Sequence, residues 1–310
     1  MQNTATTDVP EVFAEPTGGK SPIGENLSAI WGPIRSGTNP LLVALANART
    51  TEGNPAVGKI LNQIGKSGLR EKGEFNYGPF FAQTPDGNRA LIKETLGFRR
   101  KPECDFKLLP PGREAEVAEK VPVLAIVRHP FGIISSMVAR KWHEEVEPDP
   151  NNPENTEHFI DLIQVVFESL MRNIESAERF GARIECVVHG HIHNESDYHQ
   201  EEVFRRICKH LKIPFSREIL DWSVSFDKLV EEGKMCFCDD IHRDVYQRGW
   251  YDRVRESSGF HPKESLITLK EGQVAEITRR KIMMDIYEEI QERSKKFLEG
   301  AEKTGSNGRF

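Results

Sequence analysis

The stretch LSAIWGPIRSGTNPLLVALANAR, residues 27–49, joins an apolar run, a turn with two glycines and a helix-like pattern. LSAIWG predicts a strand, and Pro40 followed by leucines at helical spacing predicts the first turns of a helix. In a turn of this kind, backbone N–H groups and the positive end of the helix dipole point at one anion. The stretch therefore predicts an anion-binding loop between a strand and a helix.

The loop departs from the P-loop of ATP and GTP enzymes, GxxxxGK[ST]. Gly32 and Gly37 have the required spacing, but Thr38 and Asn39 replace the lysine and the hydroxyl residue. The loop therefore lacks the usual clamp on β- and γ-phosphates and the usual Mg²⁺ ligand. Arg35 instead offers a guanidinium that binds phosphate or sulfate through two parallel bonds. A metal-independent anion site is predicted, with a ligand-free turn as the alternative.

A second strand, turn and helix follow in VLAIVRHPFGIISSMVARKW, residues 123–142. Arg128 stands at the end of the strand, and Ser135 and Ser136 lie in the early turns of the helix. An arginine and a hydroxyl at this edge of the sheet predict a second anion subsite. A structural ion pair is the alternative role for Arg128.

Four apolar runs predict strands at 27–32, 89–94, 121–127 and 183–189. Helical patterns fall between them, and further helices are predicted at 155–180 and 271–298. Alternating strands and helices predict an α/β domain with a central parallel sheet, whose ligands lie beyond the carboxyl ends of the strands. We expect one domain over 27–300 between flexible tails at 1–26 and 301–310.

Four landmarks in order resemble the cytosolic PAPS-dependent sulfotransferases: PIRSGTN, VRHPFGIISS, EEVFRRICKHLKIPFSREIL and YQRGWYDR, between residues 33 and 253. The first is similar to the 5′-phosphosulfate loop PKSGTTW. The second is similar to the 3′-phosphate motif, in which an arginine and a serine eight residues later bind that phosphate. The resemblance implies a three-layer α/β sandwich with the P-loop NTPase-like sulfotransferase fold.

The resemblance further implies transfer of a sulfuryl group from PAPS to a hydroxyl or amine of a small molecule, with PAP released and no metal required. The nucleotide-binding residues that it implies are Arg35, Ser36, Gly37, Thr38, Asn39, Arg128, Ser136, Arg248 and Gly249.

The catalytic residues implied are Arg35, Lys93, Glu94 and, as an alternative base, His129. Arg35 replaces the loop lysine that contacts the bridging oxygen, and it can stabilise charge but not donate a proton. Lys93, in LIKETLG, matches the lysine of the family's KTH motif, whereas Thr95 occupies the histidine position. Glu94 is the best local replacement for that base, with a surface ion pair as its alternative role. His129 alternatively caps the following helix.

Two further patterns suggest metals. HGHIH, residues 189–193, would place three histidines on one face of an extended strand, and CFC, residues 236–238, offers two sulfurs. We assign no metal to either pattern. The sulfotransferase family that the chain resembles needs no metal, and CFC has no second pair of cysteines nearby. The histidines are interpreted as part of the active-site rim or as neighbours of the nucleotide.

Composition and charge limit the functions and the cellular location that we expect. A net charge of −6 argues against broad nucleic-acid binding, and five scattered cysteines indicate reduced thiols in the cytoplasm. No signal peptide or membrane-spanning run is predicted. A P-loop kinase or NTPase and a non-catalytic nucleotide-binding relative remain as alternatives. The acceptor and the oligomeric state stay open, with a homodimer as one option.

Overall fold

The computed structural model describes residues 22–66, 75–81, 88–97, 107–139, 153–193, 197–237, 251–260 and 269–300. Side chains at 153–159, 252 and 253 are outside this description. Six strands form one sheet in the order β5-β4-β1-β3-β2-β6, and every described pairing is parallel. The strands are β1 Leu27–Pro33, β2 Val57–Asn62, β3 Arg89–Leu96, β4 Val123–Val127, β5 Ile184–Val188 and β6 Met235–Phe237.

The described α-helices are α1 Thr38–Ala46, α2 Glu114–Lys120, α3 Pro130–Val138, α4 Pro153–Arg179, α5 His189–Ile192, α6 Gln200–Leu211, α7 Phe226–Glu231, α8 Asp252–Arg255, α9 Glu271–Arg279 and α10 Lys281–Glu299. Short 3-10 turns lie at Gly78–Phe81 and Arg217–Ile219. The single helix predicted over 271–298 is therefore two helices. Arg280, with ψ of 65°, leaves the helical conformation between them.

Strand alternation produces two hydrophobic layers, one on each face of the sheet. Leu27, Ala29 and Trp31 of β1 pack into a cluster with α3, α4, α9 and α10, which we call the α4 face. Ile30 packs into the opposite cluster with α1, α6, α7 and α8, which we call the α1 face. The predicted α/β class, with helices on both faces of a central parallel sheet, is confirmed.

All four predicted strands are present, and two more were missed. In VGKILN the polar Lys59 and the glycine obscure the apolar pattern of β2, although Ile60 and Leu61 are buried. β6 is three residues long, too short for a periodic signal, and it contains Cys236 of the CFC pattern.

At the amino end, Ile23 is fully buried and the Gly24 N–H donates to the Phe80 carbonyl at 3.0 Å. Packed residues thus include some that the sequence assigned to the tail. Residues 1–21 of that tail and the predicted tail at 301–310 lie outside the described residues. Within the described part of the chain, no helix has the length and apolar character needed to cross a membrane.

The sheet order determines where a ligand fits. From β1 the chain runs through α1 towards β2 on one side, and from β4 it runs through α3 and α4 to β5 on the other. β1 and β4 are neighbours, so the loops that follow them diverge at a shared crevice. Such a switch point, at the carboxyl ends of parallel strands, is the usual ligand site of an open α/β sheet.

Candidate anion-binding site

The loop after β1 leaves the amino terminus of α1 open. Gly37 is the N-cap of α1 with φ of 93°, and as a glycine it has no side chain to cap this end. The first N–H groups of a helix have no partner within the helix, so they are directed at the crevice. A Cβ on Gly37 would lie 2.7 Å from His189 Cδ2, so only glycine fits here. This end of α1 is suited to an anion.

Arg35 also has a positive φ, 64°, which is uncommon for a residue with a side chain. The flanking backbone is held by two hydrogen bonds: Ile34 N–H to the Leu96 carbonyl at 2.8 Å and Ser36 N–H to the Pro33 carbonyl at 3.2 Å. The loop is thus fastened to β3 while the Arg35 side chain extends across the crevice.

The loop after β4 supplies side chains rather than N–H groups. Arg128 runs over the first turn of α3, since a Cβ on Gly132 would lie 2.7 Å from Arg128 Nε. Ser136 is one helical turn beyond Gly132, on the same face of α3. Arg35 reaches this face from the other loop and donates to Ser136 Oγ from Nε at 3.1 Å and from Nη2 at 3.0 Å. The two predicted anion loops therefore meet.

His129 caps α3. Its Nδ1 accepts from the Phe131 N–H at 3.2 Å, and its ring packs against Phe131 and Tyr287, with centroids 4.8 and 4.7 Å away. Burial lowers the pKa of this imidazole, which favours the neutral form that a cap requires. The side chain thus performs the capping role that the sequence offered as the alternative to a base.

Lys93 and Glu94 leave β3 on opposite faces of the sheet. Lys93 is on the α1 face and is 1% exposed, and its Nζ donates to Asn39 Oδ1 at 2.9 Å and to Asn62 Oδ1 at 3.0 Å. This places an ammonium group at the first turn of α1, beside the open helix terminus. Asn62, at the end of the missed strand β2, was not predicted to contribute.

Glu94 is on the α4 face and is also 1% exposed. Its Oε1 accepts from the Gly65 N–H at 2.9 Å, so the carboxylate points towards the loop after β2. Among the described residues, Glu94 Oε2 has no hydrogen-bond partner. Trp31 lies opposite Glu94 on the neighbouring strand β1, and its Nε1 has no partner among these residues either. An unpaired acceptor and an unpaired donor therefore lie on adjacent strands of one face.

Burial raises the pKa of Glu94 to about 7, although Lys66, the Gly65 N–H and Lys93 oppose this shift. A carboxyl that titrates near neutrality can accept a proton at physiological pH. The fully buried position contradicts the alternative of a surface ion pair. Thr95, at the position of the family's histidine, lies on the α1 face with its Oγ1 3.5 Å from Thr38 Oγ1.

The HGHIH histidines do not lie on an extended strand, so the expectation of a shared face was wrong. They form the helical turn α5 and its C-cap. His189 and His193 stack with centroids 3.9 Å apart, whereas His191 Nδ1 lies 2.9 Å from Ser294 Oγ. Burial lowers the pKa of His189 well below its usual value, with His193 and Arg128 adding to the effect. Across the described ranges, no group of three or more His, Cys, Asp or Glu side chains is arranged to hold a metal.

Three residues of the predicted patterns lie outside the described part of the chain: Arg248, Gly249 and Cys238. Two aromatic residues that precede β3, Phe75 and Phe80, are buried in the α4-face cluster. Tyr77 is partly buried, and its hydroxyl donates to the Lys107 carbonyl at 3.0 Å.

No family model and no curated protein matches the chain. Among solved structures, it is similar to the sulfotransferase domain from the curacin biosynthetic pathway, with 13% identity, a TM-score of 0.40, and coverage of 84% of this chain and 98% of that one. It is also similar to the sulfotransferase domain of the Synechococcus PCC 7002 olefin synthase, with 12% identity, a TM-score of 0.39, and coverage of 86% and 97%.

A third similar structure is retinol dehydratase in a complex with retinol and PAP, with 12% identity, a TM-score of 0.39, and coverage of 97% of this chain and 86% of that one.

Proposed function

We propose that this protein is a PAPS-dependent sulfotransferase that transfers a sulfuryl group to a hydroxyl of a small-molecule acceptor. The observation that carries the proposal is the Lys93 ammonium, 2.9 Å from Asn39 Oδ1 at the first turn of α1. Asn39 occupies the position at which a P-loop NTPase has its Mg²⁺-binding hydroxyl. A cation supplied by the chain at that point repels a metal ion and attracts an anionic ligand.

The donor set fits a nucleotide with separate phosphate groups. The amino end of α1, with Ser36, Thr38 and Asn39, would bind the 5′-phosphosulfate through backbone N–H groups and short polar side chains. Arg128 and Ser136, on one face of α3, would bind the 3′-phosphate. Arg248 and Gly249 are proposed to add contacts to the same phosphates.

PAPS would supply the sulfuryl group. The bond from sulfur to the phosphate oxygen breaks, the bond from sulfur to the acceptor oxygen forms, and PAP carries away the electron pair. Lys93 would stabilise the charge that develops during transfer. The acceptor's proton would pass to Glu94, so the acceptor hydroxyl would approach from the α4 face, opposite α1.

The proposal is tested by calorimetric binding of PAP, 5′-AMP and ATP in EDTA. We expect PAP to bind at least tenfold more tightly than 5′-AMP, because one more phosphate is held by charge-assisted bonds worth about 1.5–3 kcal/mol each. ATP should gain nothing from added Mg²⁺. Equal affinities for PAP and 5′-AMP would disprove the proposal, and Mg²⁺-dependent ATP binding would favour a P-loop kinase or NTPase.

The role of Glu94 predicts a pH profile. A base is active only when deprotonated, so kcat/KM should rise as pH increases towards about 7 and then level off. Glu94→Gln should lower kcat by about 10²–10⁴ and leave PAP binding unchanged. Glu185→Gln is the matched control, since Glu185 on β5 also has a pKa raised by burial. A base elsewhere is indicated if Glu94→Gln retains the wild-type rate and profile.

A non-catalytic nucleotide-binding relative is the second candidate, favoured by Thr95 at the histidine position. PAP binding without turnover of PAPS against a panel of phenols, alcohols and amines would support it.

A cytoplasmic location is part of the main proposal. It is supported by Cys186, Cys208 and Cys236, which are free thiols.

A further inference from the structure

Arg35 extends from the loop after β1 to a helix that follows β4. Its Nε and Nη2 both donate to Ser136 Oγ, at 3.1 and 3.0 Å, between residues 101 positions apart. The resemblance implies a different destination, the bridging oxygen at the 5′ side, because a lysine in that loop position contacts this oxygen in the family. The observed direction of the side chain therefore changes its expected role.

The surface that Arg35 reaches already carries Arg128. Gly132 and Ser136 are four residues apart on α3 and share one face, and the Arg128 stem covers Gly132 within 2.7–3.3 Å of where a Cβ would be. Two guanidinium groups from two different loops thus converge on one helical face. An anion bound between two guanidinium groups is attracted by both.

The geometry of the Arg35 contact suits a phosphate. The Nε–Nη2 edge that holds the serine oxygen is an edge with which a guanidinium binds two oxygens of one phosphate in parallel. Ser136 is 2% exposed, so its hydroxyl lies at the base of this arrangement rather than in bulk solvent. Its own O–H can then donate to the same anion.

The 5′ side has its own cation. Lys93 Nζ is held at the first turn of α1 by Asn39 and Asn62, at 2.9 and 3.0 Å. The open end of α1 and the Lys93 ammonium together supply positive charge there without Arg35.

We infer that Arg35 belongs to the 3′-phosphate subsite, with Arg128 and Ser136, and selects nucleotides that carry a 3′-phosphate. The inference rests on the proposed function and assigns the 5′-sulfuryl side to Lys93 and the amino end of α1. Arg35 is thus a residue that determines nucleotide specificity.

The test compares 3′-AMP, 5′-AMP and PAP binding by calorimetry in EDTA at fixed ionic strength. We expect Arg35→Gln to lower the affinity for 3′-AMP and for PAP at least tenfold. The affinity for 5′-AMP should change less than about twofold. Arg128→Ala should give the same pattern. Arg205→Ala is the matched control, because it removes an arginine from an exposed ion pair with Glu201 on α6.

The outcomes separate the inference from the proposed function. If wild-type protein binds PAP no more tightly than 5′-AMP, both fail. If Arg128→Ala loses the 3′-phosphate preference and Arg35→Gln weakens 5′-AMP as much as 3′-AMP, the proposed function stands and the inference is overturned. The inference is also overturned if Arg35→Gln leaves all three affinities unchanged.

Thermal unfolding of each variant shows whether it is folded. Should Arg35→Gln not fold, Arg35→Lys keeps the charge and removes the fork, and we then expect a several-fold loss confined to 3′-AMP and PAP. Equal loss for 5′-AMP in that variant would count against the inference in the same way.

Discussion

The loops after β1 and β4 have the same strand–turn–helix layout and prepare for an anion in opposite ways. After β1, Gly37 leaves the amino end of α1 without a side-chain cap. After β4, the His129 side chain occupies that position on α3 and accepts from the Phe131 N–H. The first loop therefore offers backbone N–H groups, whereas the second offers the side chains of Arg128 and Ser136.

A helix amino terminus can bind an external anion where the chain leaves its N–H groups unused. A capped helix must instead bind an anion through side chains on one of its faces. The Arg35 side chain links the two loops.

The largest effect is expected for Gly37→Ala. The φ of 93° and the 2.7 Å approach to His189 Cδ2 both oppose a side chain. We expect PAP affinity to fall on the order of 100-fold and stability by about 1–3 kcal/mol, measured by calorimetry and urea unfolding. Adding His189→Ala should relieve the contact but not the backbone strain, so only part of the loss should return. Full affinity in Gly37→Ala alone would show that the N–H groups of α1 do not bind the ligand.

A smaller effect is expected for Gly132→Ala on the second loop. The new methyl displaces Arg128, so PAP affinity should fall about tenfold, while stability should not fall because alanine favours a helix by up to about 1 kcal/mol. Gly272→Ala on α9 is the matched control, since a Cβ there meets nothing within 4 Å. Unchanged PAP binding in Gly132→Ala would show that Arg128 does not bind the nucleotide.

The smallest effect on binding is expected for His129→Ala. Loss of the cap should cost about 1 kcal/mol of stability and change PAP affinity less than about twofold. The pKa of His129 is lower in the folded protein than in the unfolded chain. The cap therefore contributes its full stability above the unfolded-state pKa, and this contribution is lost as pH falls through the folded-state pKa. Urea unfolding at high and low pH should show the difference between wild type and variant shrinking at low pH.

Ser225→Ala is the matched control for this experiment, because Ser225 Oγ accepts from the Lys228 N–H at 3.2 Å at the start of α7 and does not titrate. Its cost should be independent of pH. A large loss of PAP affinity in His129→Ala would restore a role for His129 in the site.

Local patterns were sufficient where one segment carried the whole signal. The apolar runs of β1 and β4 and the amphipathic α4 correctly predicted the parallel sheet and its helices. Alternation also requires Lys93 and Glu94 to face opposite sides of β3, which places any acceptor at Glu94 away from α1. Weak or mixed patterns failed: β2 carries Lys59 within its strand, and HGHIH has a spacing that suits a strand but forms a helical turn.

By itself, the sequence determined the fold class, the two loops and the residue types at the candidate anion site, because periodicity and turn chemistry are local properties. Only the tertiary structure brought Arg35 to Ser136, closed Asn62 and Asn39 around Lys93 and buried Glu94. These contacts join residues from different strands and loops. Their distances and burial depend on how the whole sheet is ordered, and no local pattern records that order.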